Sequence, residues 1–332
     1  SNADNMQTVP RYAPTEMGGN DSGGDENVLA MCSVAYGGES VMSWDLEQMY
    51  RNLSTGGGTY KIKKGRNGFE EKTIDPRCLV CWYRAKMTST SIAAGEESLR
   101  EDFAGCKRGA LAPLIDMGIL NYSITRTQPK PASKTLNKDF WFNYARPTVW
   151  LGYSESLFLK AEAALRGWKG QDLTMDAEGY FRAGVQASMD YYEIGKEAAQ
   201  SYISGLKALN DGTFSSGDRE KILEAIITQK WMAVFPNGNE GWADFRRTDY
   251  PANQLTNLSG GDVPEGKMIK RLLYPNSESS NKYFNEHDGL KAANTQGTRL
   301  WWDVADTNDG SGNRQQPDNF RTTASTSSTI MK

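Results

Sequence analysis

The chain has 332 residues, 38% hydrophobic and 24% charged, with 38 Lys and Arg against 41 Asp and Glu for a formal net charge of −3. That is ample chain for a packed core, it lacks the basic excess of a nucleic-acid binder, and its single histidine, His287, rules out most His-rich metal sites and leaves one candidate base for a Ser-His or Cys-His pair. Nine Trp, fifteen Tyr and eleven Phe point towards binding, since amphipathic rings suit flat, polar ligands.

Ser1-Asn2-Ala3 reads as the remnant of a cleaved tag and is set aside. No apolar run reaches the roughly 18 residues that a membrane-crossing helix needs. The remainder to about residue 40 is rich in Gly, Asn, Asp and Ser and reads as loop. A short helix is predicted from Met42 to Leu53, with Leu46, Met49, Tyr50 and Leu53 on one face and Gly56-Gly57-Gly58 as its stop. The basic stretch Lys61 to Gly68 reads as a solvated loop in preference to an anion site. From Thr73 to Tyr144, broken by Pro76, Pro113, Pro129 and Pro131, the pattern predicts irregular structure with a few short strands. The cysteines Cys32, Cys78, Cys81 and Cys106 allow three complete pairings. Cys78-x-x-Cys81 lacks the second ligand pair or βαβ setting of a zinc or redox site, which favours buried thiols or a structural disulfide.

The helical signal strengthens at Trp150. Trp150, Tyr153, Ser154, Leu157, Phe158, Ala161, Ala164 and Leu165 recur at three- and four-residue spacing and stop at Gly167. A second stripe, Ala177, Tyr180, Phe181, Gly184, Val185, Ser188, Tyr191 and Tyr192, follows with Thr174 as its expected N-cap. Small residues at Ala161, Ala163, Ala164, Ala183, Gly184 and Ala187 suit close packing of the two as an antiparallel hairpin of tetratricopeptide type. A third helix is predicted from Asp218 to Val234, ended by Pro236-Asn237-Gly238. The dense stretch Gly241 to Thr248 predicts an ion-paired corner joining Asp244 or Glu240 to Arg246 or Arg247. Beyond Asp249, loops are expected.

The run Arg146-Pro-Thr-Val-Trp-Leu-Gly-Tyr-Ser-Glu-Ser-Leu-Phe-Leu-Lys-Ala-Glu-Ala-Ala-Leu-Arg-Gly-Trp168 closely resembles a central motif of the SusD/RagB family, in its starch-binding-associated branch. Further segments agree in order: Ala177 to Tyr191, Ile226 to Pro251 with its Trp-Ala-Asp-Phe-Arg-Arg core, Lys270-Arg-Leu-Leu-Tyr-Pro275, and Leu300-Trp-Trp-Asp303. Asp75-Pro76-Arg77 also fits. The resemblance covers 146–303 well and 42–144 loosely. It implies a mainly α fold of tetratricopeptide-like helix hairpins with a loop-rich, irregular second face. The expected organisation is a single domain over 4–332: a loop-rich part to 145, a helical core over 146–248 and a loop-rich part from 249.

The resemblance also implies a surface lipoprotein of the outer membrane, held by a lipid anchor that lies upstream of this chain. Such a protein captures oligo- or polysaccharide, or in some members peptide, and passes it to a SusC-like TonB-dependent transporter without catalysis. Family members are longer, so the chain is expected to be N-terminally truncated. Aromatics in irregular segments are the expected ligand contacts, namely Tyr60, Trp82, Tyr83 and Trp141, joined by the pair Trp301 and Trp302. Asp303, Asp306 and Asp309 form an oxygen-rich loop that is a candidate Ca²⁺ site without EF-hand spacing; no other cofactor is expected. A glycosidase is the enzymatic alternative, but Glu155 and Glu162 lie two turns apart on one helix, about 10 Å along its axis, which suits hydrogen bonding between helices better than two-sided attack on a glycosidic bond. A helical-repeat interaction scaffold is the third reading, resting on the hairpin alone.

Overall fold

The computed structural model describes residues 4–8, 41–64, 68–85, 101–106, 122–123, 146–170, 172–251, 271–286, 294–296 and 319–320. The chain divides into two compact units, Ser1–Ala164 with Lys169–Gly217, and Leu165–Trp168 with Asp218–Lys332. Its described elements are mainly helical. No described helix is long and apolar enough to cross a membrane.

In the first unit, strand β1 (Met6–Thr8) pairs antiparallel with β4 (Thr148–Leu151). Helix α1 (Trp44–Asn52) starts at an N-cap Ser43 whose hydroxyl accepts from Leu46 N–H. The expected stop at Gly56-Gly57-Gly58 has a second purpose. The chain leaving α1 lies directly against the end of helix α5 (Lys196–Ser204), with Thr55 N–H donating to Gly205 O at 2.9 Å and Gly57 N–H to Ser201 Oγ at 3.1 Å. A Cβ on Gly56 would collide with the Ser201 carbonyl, so the approach itself requires glycine.

The basic stretch is not a loop. Strand β2 (Gly58–Lys64) and strand β3 (Gly68–Ile74) form an antiparallel hairpin, in which Lys61 faces Glu71 and Tyr60 faces Lys72. Alternation across the pleat leaves Lys61 and Lys63 in solvent and puts Ile62 inside, and Lys64 at the end of the strand is exposed as well. Nor is the next segment wholly irregular. Asp75 caps helix α2 (Pro76–Cys81), with proline at the first helical position where its missing N–H costs nothing. Cys78 and Cys81 on this helix, and Cys106, are buried thiols.

Arg77, only 1% exposed, is the pin of this unit. Its Nε and Nη2 fork onto Asp75 at 3.0 and 2.6 Å, Nη1 donates to Ser188 Oγ at 3.1 Å, and Nη2 also reaches Tyr202 Oη at 3.2 Å. Ser188 belongs to helix α4 (Ala177–Tyr191) and Tyr202 to α5, so one guanidinium joins three helices.

Helix α3 (Tyr153–Arg166) and α4 form the predicted hairpin. A Cβ on Gly184 of α4 would sit 2.9 Å from the Phe158 ring of α3, and Phe158 meets Phe181 edge-to-face at 6.2 Å. The cap of α4 is Asp176, not Thr174: Asp176 Oδ1 accepts from Gly179 N–H at 2.8 Å, while Thr174 N–H is taken by Tyr180 Oη at 2.7 Å. Helix α6 (Lys207–Asn210) closes the unit's described helices.

In the second unit, helix α7 (Arg219–Ala233) is buried nearly all round, through Ile222, Leu223, Ile226, Ile227, Gln229, Lys230 and Met232. Its expected single stripe is therefore too narrow; a helix buried on every side is the centre of its unit. Leu223 and Ile227 pack with Tyr250, Leu165 and Phe320. The expected ion-paired corner is a helix, α8 (Gly238–Thr248), capped by Asn237. Its pairing is real: Asp244 accepts from buried Lys230 Nζ and from Arg247 at 2.9 Å, whereas Arg246 lies over the Trp242 ring at 4.8 Å. A 3₁₀ turn (Asn276–Ser280) and helix α9 (Lys282–Glu286) complete the described elements.

Two outcomes test this packing. Gly184→Val is expected to lower stability by about 1–3 kcal/mol in thermal denaturation, because Phe158 is fully buried and cannot give way. Arg77→Met is expected to cost about 3–5 kcal/mol in urea unfolding, since it strands the Asp75 carboxylate in the core.

Candidate functional site

Tyr60 is the sequence-selected residue with the richest surroundings. Its hydroxyl donates to Asp102 Oδ1 at 2.6 Å and accepts from Arg51 Nη1 at 3.2 Å, and its ring meets Phe103 edge-to-face at 5.3 Å. Asp102 is fully buried and also accepts from Lys72 Nζ at 2.8 Å and from Phe103 N–H at 2.7 Å. Arg51 in turn donates to Glu47 at 2.7 Å and to Phe103 O at 2.7 Å, and Gly105 N–H donates to the other Glu47 oxygen at 2.7 Å. Four elements meet here: α1 supplies Glu47 and Arg51, strands β2 and β3 supply Tyr60 and Lys72, and the run 101–106 supplies Asp102 and Phe103.

Burial on its own would push the Asp102 carboxyl up, but the Arg51 charge and the hydrogen bonds from Lys72, Tyr60 and Phe103 N–H outweigh it and hold it below the usual carboxylate value. The Tyr60 phenol moves up, first from burial and then from its bond to Asp102. Both acids spend their oxygens on fixed cations and backbone donors. The cluster therefore fastens 101–106 to the hairpin, and Tyr60 contributes at most a half-buried ring edge to any surface ligand.

The other expected contacts divide plainly. Trp82 is 3% exposed, and its indole N–H donates to Tyr50 Oη at 3.3 Å. It is a core residue and not a platform, because α2 carries it inward where an irregular segment was expected. Tyr83 beside it is half-buried. Trp141, Trp301 and Trp302, together with the calcium candidates Asp303, Asp306 and Asp309, lie outside the described residues. Among the described residues, no three His, Cys, Asp or Glu side chains gather in a way that would hold a metal. Glu155 and Glu162 are buried on α3, at 7% and 4% exposure.

The rings at the surface are others. Trp150 is 65% exposed and Trp168 is 63% exposed, although the helical spacing puts Trp150 on a core stripe. The cause is local. Pro147-Thr-Val-Trp-Leu-Gly152 is a β-branched and aromatic run bounded by Pro and Gly, which is a strand signature. Met6 pairs with Leu151 and Gln7 with Val149, so Trp150 has no opposite residue and is the extra residue of a β-bulge. The same ribbon carries Gln7, paired with Val149, and the exposed Thr148, while Asn5 Oδ1 accepts from Tyr153 N–H at 2.7 Å. An indole face next to amide and hydroxyl groups is the combination that a sugar ring uses, with its C–H face on the ring and its hydroxyls on the polar partners.

A family model described as SusD-like, SusD and RagB outer membrane lipoprotein, matches residues 117–303, more than half of the chain. No curated protein matches. Among solved structures, the chain resembles a chitin-binding SusD homologue from Flavobacterium johnsoniae, with TM-score 0.58 and 22% identity over 91% of this chain and 55% of that one. It also resembles a SusD homologue from Bacteroides uniformis, with TM-score 0.59 and 23% identity over 91% and 56% of the two chains. A third, from Bacteroides vulgatus, shows TM-score 0.51 and 28% identity over 70% and 47%. The chain thus spans about half the length of the solved structures it matches.

The pinned carboxylate gives a pH signature. A depressed Asp102 means that its contribution to stability is complete above the ordinary aspartate value of about 3.9 and is lost as pH falls through its lower folded value. Asp102→Asn is expected to lower the melting temperature at neutral pH and to flatten its fall below about pH 4, as read by calorimetry across pH.

Proposed function

We propose, from the premise that the chain belongs to the SusD-like family of SusD and RagB outer membrane lipoproteins, that it captures glycans at the bacterial cell surface and passes them to a SusC-like TonB-dependent transporter. The observation that carries the binding half of this reading is Trp150, a ring displayed by a strand bulge with polar side chains beside it. The chitin-binding description of the Flavobacterium johnsoniae relative supports a glycan in preference to a peptide. Capture without chemistry needs a stacking surface and orienting hydrogen bonds, with no acid, base or nucleophile. A lipid anchor accounts for membrane attachment.

Calorimetric titration of the chain with a panel of chitin, starch and β-glucan oligosaccharides and of peptides tests capture. At least one glycan is expected to bind without release of reducing sugar, and Trp150→Ala is expected to weaken it about tenfold, the usual scale for losing one stacked ring. Absence of glycan binding across the panel would falsify the capture reading. Failure to co-purify with a TonB-dependent transporter would remove the delivery half.

A further inference from the structure

The bulge that displays Trp150 displays two apolar side chains with it. Along β4, Thr148 is exposed and Val149 half-buried, and then the alternation breaks, with Trp150 and Leu151 both exposed. A bulge sets two successive residues of one strand against a single residue of the other. Here Met6 is that single residue, paired with Leu151 where the register shifts. Met6 is 65% exposed and Leu151 38%, so a thioether and a branched alkyl chain stand in water at the same end of the ribbon as the indole.

Neither side chain serves the core, and backbone pairing holds the ribbon without them. Apolar surface left in water gains from a ligand that covers it, and methionine adapts its shape to irregular apolar groups. A polar group accompanies the pair. Asn5 precedes Met6, and its Oδ1 accepts from Tyr153 N–H, two residues beyond Leu151, at 2.7 Å. That bond fixes the half-buried amide and leaves its Nδ2 hydrogens, which meet no acceptor among the described residues.

We infer that this site takes an N-acetylhexosamine within a longer glycan. The sugar ring lies on the Trp150 indole, the acetamido methyl covers Met6 and Leu151, and the acetamido carbonyl accepts from Asn5 Nδ2. A plain hexose matches only part of this set. Its C–H face suits the indole and its hydroxyls suit the amide, but it brings no methyl group to the apolar pair. Because the Asn5 amide is already fixed by Tyr153 N–H, binding gives up little of its rotamer freedom.

This inference names the sugar class for the glycan-capture reading and rests on it, and its test separates the two. The full chain is titrated by calorimetry with a chitin oligosaccharide and with a cellulose oligosaccharide of the same length and linkage, which has a hydroxyl where chitin carries its acetamido group. The chitin oligosaccharide is expected to bind about tenfold tighter or more, the usual scale for filling or missing a small apolar contact. Met6→Thr and Leu151→Thr are each expected to remove most of that preference by weakening the chitin oligosaccharide alone, with the melting temperature unchanged. Asn5→Asp, which keeps the acceptor for Tyr153 N–H and removes the donor, is expected to weaken the chitin oligosaccharide about fivefold. Equal affinity for the two oligosaccharides, or a preference that both threonine variants leave untouched, overturns the N-acetyl assignment and leaves glycan capture standing. Binding of no glycan at all overturns both.

Discussion

A single buried positive charge organises the first unit. A guanidinium out of water is tolerable only when every N–H finds an acceptor and the charge finds its counter-ion close by. Arg77 meets that demand by drawing on Asp75 within its own turn, on Ser188 of α4 and on Tyr202 of α5. The demand runs outward. Asp75 must stay at the helix cap, where its N–H donates to Tyr50 O, and that in turn fixes α1 against the start of α2. The close glycine contact between the end of α1 and α5 completes the circuit. The Asp102 cluster repeats the principle on a smaller scale, holding 101–106 against the hairpin.

What the sequence discloses depends on how local the deciding physics is. Helices α3, α4 and α7 were legible because their apolar spacing persists for three or four turns and their ends carry Gly167 or Asp218. The cap of α4 was misplaced by two residues because Thr174 and Asp176 are both competent caps, and the choice is made by the Tyr180 hydroxyl, a tertiary partner. The hairpin at 58–74 was hidden by its lysines, which alternate with inward residues but read as charge density when counted together. Helix α8 was hidden for the same reason, since its ion pairs drew attention away from its spacing. The mainly α, hairpin-based fold and the family motifs are legible in the sequence, whereas Trp82 and Trp150 each lie on the side opposite to the one their spacing suggests.

That last difference has a physical origin. An aromatic ring is equally at home in a core or on a binding face, and composition does not distinguish the two. Trp82 is buried because one helical turn carries it inward and Tyr50 supplies an acceptor for its N–H. Trp150 is exposed because it falls in a strand and not on the helix that begins three residues later. In both cases the secondary structure of a few residues decides between scaffold and surface. Proline and glycine at 147 and 152 were the available signal for the strand.

The bulge at Trp150 makes display of that ring a matter of chain length as much as residue type. Successive strand residues point to opposite faces, so adding or deleting one residue between Pro147 and Gly152 reverses which side chains look outward. Substitutions in this ribbon can therefore tune what is held there by degrees, whereas a one-residue insertion acts as a switch. Relatives that keep the helices following it but differ by one residue here would share a scaffold and differ in appetite.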